Sequence, residues 1–140
     1  MNRKRRTTIL VKAGASLAKE MAREVTEHYD VKEIVAPRNG LTMLKVRETA
    51  KQSLFYLGEV LMTETMVEIE GSLGKGMVIG LEEEWSRDLA IIDAAYGAKL
   101  PIIARWNQLL QAKEEAIINK EDKEQAQLME TKVSFETMSI

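Results

Sequence analysis

The chain has no cysteine. That excludes a disulfide framework, a thiolate zinc site, an iron–sulfur cluster held by this chain and a cysteine nucleophile. Histidine occurs once, at His28, so a Ser-His-Asp arrangement has only one possible base. The basic start of the chain, residues 1–12, holds no aromatic residue to stack a nucleic-acid base and no identifiable recognition helix. Long apolar runs are also missing. Ile9-Leu10-Val11 stops at Lys12, short of the roughly 7–15 apolar residues of a secretory signal. Nothing approaches the ~18 residues of a membrane span. These absences lead us to expect a soluble, cytoplasmic protein that contacts neither membrane nor nucleic acid.

What remains suits a globular fold. With 140 residues and 45% hydrophobic content, the chain is long enough for one domain, residues 1–140, with a core of its own. Net charge is −2, unevenly distributed. Residues 1–12 carry Arg3, Lys4, Arg5, Arg6 and Lys12 with no acid. Residues 59–93 carry nine acids against Lys75 and Arg87. The basic start reads as a solvated or partner-contacting end, with residues 1–6 mobile.

Thr7 or Thr8 can cap a first helix, and Leu17, Met21 and Val25 make an apolar stripe out to about His28. Gly14 and Ser16 can split this segment in two. The rhythm then becomes strand-like. Val31–Ala36 is a weak strand, and Pro37–Gly40 ("PRNG") a turn signal. Leu41–Glu48 alternates, and Leu54–Leu57 is a short aromatic strand. Glu59–Glu70 alternates most cleanly. It sets Leu61, Thr63, Thr65, Val67 and Ile69 on one face and Met62, Glu64, Met66, Glu68 and Glu70 on the other. Trp85, Leu89, Ile92 and Tyr96 line one helix that Gly97 ends. Pro101 opens a second, with Ile103, Trp106, Leu110 and Ile117 as its stripe. "NKEDKEQAQ" is an exposed or mobile helix, and Val133–Phe135 looks like a last strand. The expected fold is α+β: an antiparallel sheet of about four to five strands, with N-terminal and C-terminal helices packed against it. The helices over 82–97 and 102–118 are the expected cover for one face of the sheet.

"GSLGKGMVIG", Gly71–Gly80, carries four glycines and a lysine. A phosphate loop needs Gly-Lys followed by a hydroxyl and a helix start. Here Lys75 is followed by Gly76 and a short apolar run, so the glycines read better as the positive-φ residues of a hairpin. Few polar residues compete for chemistry. Asp93, at the edge of its helix's apolar stripe, can be a tuned acid or base, or a structural hydrogen-bond acceptor. Arg87 can hold an anion or pair with Glu83 one turn back. Glu64, Glu68 and Glu70 can ligate a hard cation or simply face solvent. Met62 and Met66 on that face suit either a partner surface or a core under a helix.

Four blocks in order, "FYLGEVLMTETMVEIEG", "GKGMVIG", "LAIIDAAY" and "TKVSFETM", resemble the PhnG family of phosphonate metabolism, whose members are components of the bacterial carbon–phosphorus lyase core complex. Phe55, Gly58, Glu59, Val60, Leu61 and Thr63 carry the first block. Gly76 and Gly80 carry the second, Ala90, Ile92, Asp93 and Ala94 the third, and Val133, Phe135, Thr137 and Met138 the last. The resemblance covers roughly residues 53–138. It implies a small cytosolic protein assembled with the H-, I-, J- and K-type subunits and acting with the L-type one. The step it implies transfers a phosphonate onto ribose C1′ of ATP with loss of adenine, as in α-D-ribose 1-methylphosphonate 5-triphosphate synthesis. In the family the chemistry is attributed to other subunits, so no cofactor is expected on this chain, and ATP and phosphonate are substrates of the complex. The alternative from the residues alone is a stand-alone anion- or nucleotide-binding domain using Lys75 and Arg87.

Overall fold

The computed structural model describes residues 1–47 and 54–138, and the side chains of 1–43 and 58–130. The elements run α1 (Arg3–Ala13), α2 (Ala15–Thr26), β1 (Lys32–Arg47), β2 (Leu54–Ile69), β3 (Ser72–Ile79), α3 (Glu83–Gly97) and α4 (Ile103–Met138). The strands form one antiparallel sheet in the order β1-β2-β3. The class is α+β, but the described residues hold three strands rather than four or five.

Each missing strand has a physical reason. The Pro37–Gly40 signal does not turn the chain, because β1 runs straight through it. β1 is an edge strand, where proline's missing N–H costs no ladder bond. The register steps from Val35↔Met66 to Arg38↔Glu64, a bulge that absorbs Ala36 and Pro37. Leu54–Leu57 and Glu59–Glu70 merge into β2, with a further irregularity opposite Leu44 and Lys45. Val133–Phe135 is helical backbone inside α4, which continues through a stretch rich in Lys, Glu, Gln and Ala. Glu48, the last residue of the expected second strand, lies outside the described residues.

The helices are set by their caps. Asn2, not Thr7 or Thr8, caps α1, its side chain accepting the Arg5 N–H at 2.8 Å. Gly14, at φ 94°, separates α1 from α2. The β2–β3 turn is Glu70–Gly71, and both residues have positive φ, 48° and 80°. That is the backbone a two-residue hairpin loop requires.

Gly71 is therefore the only glycine of "GSLGKG" in the hairpin turn. Gly74 and Gly76 lie within β3, on its buried side, and serve a different purpose. A Cβ on Gly74 would sit 2.2 Å from both the Ala90 carbonyl oxygen and the Ala94 nitrogen. On Gly76 it would sit 1.9 Å from the Ser86 carbonyl oxygen. The backbone of α3 thus rests directly on that of β3.

The cleanest alternation in the sequence appears as expected. Thr63, Thr65, Val67 and Ile69 are buried, while Met62, Glu64, Met66 and Glu68 are half-buried on the other face. Leu61 departs from the pattern and is exposed. α3 is the middle layer and is buried almost all round, through Leu89, Ala90, Ile91, Ile92, Ala94 and Ala95. α2 covers its far side with Leu17, Ala18, Met21, Ala22 and Val25. α3, rather than the expected pair of helices, covers the sheet. α4 lies instead along α1, tied by Arg5–Glu114 and Lys12–Glu121, and reaches α2 through Arg105–Glu24. Its Trp106 and Leu110 still enter the core.

Gly76→Ala forces two backbones apart, since neither the Ser86 carbonyl nor the strand can give way locally. We expect it to cost about 3 kcal/mol or more in urea unfolding, the upper range for overpacking. Gly40→Ala, where a Cβ would meet nothing within 4 Å, should change stability by less than about 0.5 kcal/mol. Equal effects at the two sites would refute the close-approach account.

Candidate functional site

Asp93 sits where α3, α1 and β3 meet. Its Oδ1 accepts from Arg3 Nε at 2.9 Å and from Arg6 Nη2 at 2.7 Å. Its Oδ2 accepts from Arg3 Nη2 at 2.9 Å and from the Lys75 backbone N–H at 3.0 Å. The last bond follows from sheet geometry. Gly80 N–H bonds to the Leu61 carbonyl, so in the antiparallel alternation Lys75, opposite Met66, points its own N–H to the open edge of β3. Asp93 satisfies that edge amide. Arg6 is buried, with its guanidinium carbon 4.1 Å from the centroid of the Tyr96 ring. Burial pushes the Tyr96 hydroxyl up, with Arg6 opposing, and the hydroxyl donates to Asn107 Oδ1 at 2.8 Å.

With two donors on each oxygen, Asp93 has no lone pair directed at a substrate. The arrangement fits a structural lock rather than a general acid or base. It also accounts for the basic N-terminus, which sequence reasoning assigned to solvent or a partner. Arg3 and Arg6 bind Asp93, Arg5 binds Glu114, and Lys12 binds Glu121.

The other candidates lie apart. Lys75 Nζ pairs with Glu64 at 2.9 Å, and Arg38 reaches the same carboxylate at 3.4 Å. Lys75 foremost, with help from Arg38, holds Glu64 below the usual carboxylate range. Glu70 is in the turn, and the described residues contain no group of three potential metal ligands. His28 is exposed at the end of α2. Arg87 is exposed on α3 and does not form the expected pair with Glu83 among the described ion pairs. It lines a groove between α2 and α3, whereas Lys75 lines a separate cavity beside Arg3 and Asp93. The anion pair Lys75 and Arg87 is therefore not brought together.

Sequence reasoning passed over a line of buried hydroxyls. Thr65 Oγ1 and Ser86 Oγ share a 2.5 Å hydrogen bond across the sheet–helix interface. Thr63 Oγ1 accepts the Glu82 N–H at 3.1 Å and lies 2.5 Å from the Gly80 carbonyl, fixing the entry to α3. Their signal was polar residues at inward positions of a clean alternation. Met62 and Met66 lie on the outer face of β2, between Gly40 and Ile79 and between Val35 and Lys75 respectively. No helix packs on that face among the described residues. Leu73, Met77 and Ile79 of β3 are exposed there as well.

The family model for phosphonate metabolism protein PhnG matches residues 1–139. The chain belongs to the PhnG family. Because the match includes α1 and α2, the family's likeness is not confined to residues 53–138. The Asp93 lock joins the N-terminal part of the PhnG-family chain to the rest, and both halves lie inside the match. No curated protein matches the chain. No helix of the described residues is long and apolar enough to cross a membrane.

Two outcomes test this description of the PhnG-family chain. Asp93→Ala strands the buried Arg6 cation without its partner, and we expect a loss of about 3–5 kcal/mol in urea unfolding. A loss below about 1 kcal/mol would show that the lock carries no weight. The glycine stretch should bind no nucleotide. Titration of the isolated chain with ATP and magnesium should read nothing tighter than about millimolar, roughly −4 kcal/mol. Micromolar binding abolished by Lys75→Ala would reverse that conclusion.

Proposed function

We propose that this chain is a required but non-catalytic subunit of the carbon–phosphorus lyase assembly. The step it supports transfers a phosphonate onto ribose C1′ of ATP with release of adenine, giving α-D-ribose 1-methylphosphonate 5-triphosphate or its analogues. Partners of the H, I, J, K and L types surround it, and the reacting groups lie on them. The chain binds no cofactor itself, and ATP and phosphonate are substrates of the whole. It works in the cytoplasm, away from membrane and nucleic acid.

One observation carries this reading: two long elements are largely exposed among the described residues. β3 pairs with β2 only from Met62 to Ile69. Beyond Leu61, whose carbonyl accepts the Gly80 N–H, Thr42–Arg47 and Leu54–Val60 pair only with each other among the described residues, an arm about 24 Å long at about 3.4 Å per residue. Leu41 (66% exposed) and Leu61 lie at its base and Met43 (55%) on it. A two-stranded ribbon is marginal in water by itself. In α4, residues 118–130 are exposed at every position, including Leu128 and Met129. A lone helix segment of that length is marginal too. Such elements are what an assembled protein presents to its neighbours. The family's place in phosphonate metabolism supports such an assembly.

The stand-alone anion-binding reading has less behind it. Lys75 is held by Glu64, and Arg87 is in another cavity.

Met62→Glu with Met66→Glu tests the interface. Both residues are half-exposed on the open face, so we expect the double variant to fold alone with a near-native unfolding midpoint. It should fail to co-purify with its partners and fail to support growth on a phosphonate. A variant that cannot fold would place the pair in the core. A folded variant that assembles and supports growth would refute the interface.

A further inference from the structure

All but two of the arginines whose side chains are described find an acid. Arg3 and Arg6 bind Asp93, Arg5 binds Glu114, Arg38 binds Glu64 and Arg105 binds Glu24. The other two, Arg23 and Arg87, meet in the groove between α2 and α3. Lys19 and Arg23 project from α2 one turn apart, and Arg87 projects from α3 opposite. Glu84 and Asp88 line the same groove. Among the described ion pairs, none joins any of these five residues. Like charges one turn apart on a helix repel, so the Lys19–Arg23 spacing is unfavourable unless something negative lies between them.

We infer that this groove is an oxyanion site for a tetrahedral phosphorus group, phosphonyl or phosphoryl, held by Arg23, Arg87 and Lys19. The cavity holds about 360 Å³, ample for such a group. Two guanidinium forks and one ammonium supply more donors than a planar carboxylate can use, and they suit the three terminal oxygens of a phosphonate. The site belongs to neither the Asp93 lock nor the glycine stretch.

The two acids do not prevent this. Burial first and Glu84 second push the Asp88 carboxyl up, with Arg87 and Lys19 opposing. Arg23, Arg87 and Lys19 outnumber Glu84 and Asp88, so the groove keeps a net positive charge toward an anion with both acids ionised. The family's place in phosphonate metabolism guides the choice of probes. Binding to the free chain is measured apart from assembly, so the two readings fail separately.

The test is titration of the full-length chain with methylphosphonate, inorganic phosphate and inorganic triphosphate at low ionic strength, followed by ³¹P line broadening. We expect millimolar binding that Arg23→Ala and Arg87→Ala each weaken about tenfold. Lys75→Ala, outside the groove, should leave it unchanged. Because Arg23 and Arg87 are exposed, their variants should keep the wild-type unfolding midpoint. Preference for methylphosphonate would mark a site for the phosphonate head, and preference for triphosphate a site for the nucleotide tail. No broadening up to about 20 mM, or broadening indifferent to both arginine variants, would overturn the proposal. If none of the three anions binds yet Arg23→Glu with Arg87→Glu abolishes assembly, the groove belongs to an acidic partner segment, and the proposal is equally overturned.

Discussion

The fold depends on how closely α3 can approach β3. A helix normally stands off a sheet by the thickness of its side chains. Here Gly74 and Gly76 remove one side of that spacing, and the row Ser86, Ala90 and Ala94, four residues apart on α3, removes most of the other. The short separation makes the remaining contacts possible. It brings Ser86 within hydrogen-bond distance of Thr65, and Asp93 within reach of the Lys75 amide. Larger residues at Gly74 or Gly76 would pull both contacts apart, although neither glycine takes part in them.

Once α3 is seated, Asp93 decides where the N-terminus goes. Its carboxylate lies at the only described place where a free edge amide, a buried guanidinium and an exposed one converge. Arg6 gives up hydration to reach it and recovers part of that loss from the Tyr96 ring face. α1, so anchored, offers Arg5 and Lys12 to Glu114 and Glu121, and this sets the course of α4. One carboxylate thereby organises helices separated by most of the sequence.

Much of this was legible beforehand, and the misses share a cause. The faces of β2 followed from alternation, and the extent of α3 from its stripe and Gly97, because those signals are local. The merged strands were missed because a proline-glycine turn signal says nothing about whether its strand lies at a sheet edge, where proline is tolerated. The glycines were assigned to a hairpin because positive φ is their commonest use. The need for Gly74 and Gly76 lies in α3, some fifteen residues further on, and no window over the strand contains it. The charges of residues 1–12 looked unspent for the same reason, since their partners are at Asp93, Glu114 and Glu121. Asp93 was singled out at the edge of its stripe, but what it holds is three-dimensional information.

The open face of the sheet shows what kind of partner can cover it. Its middle is an ion triad, Arg38–Glu64–Lys75, and Glu64 is held in its charged form by both neighbours. Burying that triad under an apolar helix would strip water from three charges for little return. The larger apolar group lies toward the arm, where Met62, Met77 and Ile79 share a face and continue toward Leu81, while Met66 and Leu73 lie on the other side of the triad. Among the described residues no helix settles there, and an amphipathic stripe that did so would have to cross the charges to reach both groups. A partner that grips the arm, covers Met62, Met77 and Ile79, and meets the triad with polar groups of its own avoids that cost. The apolar anchor of such an interface is then at the arm, and the charges form its hydrated rim.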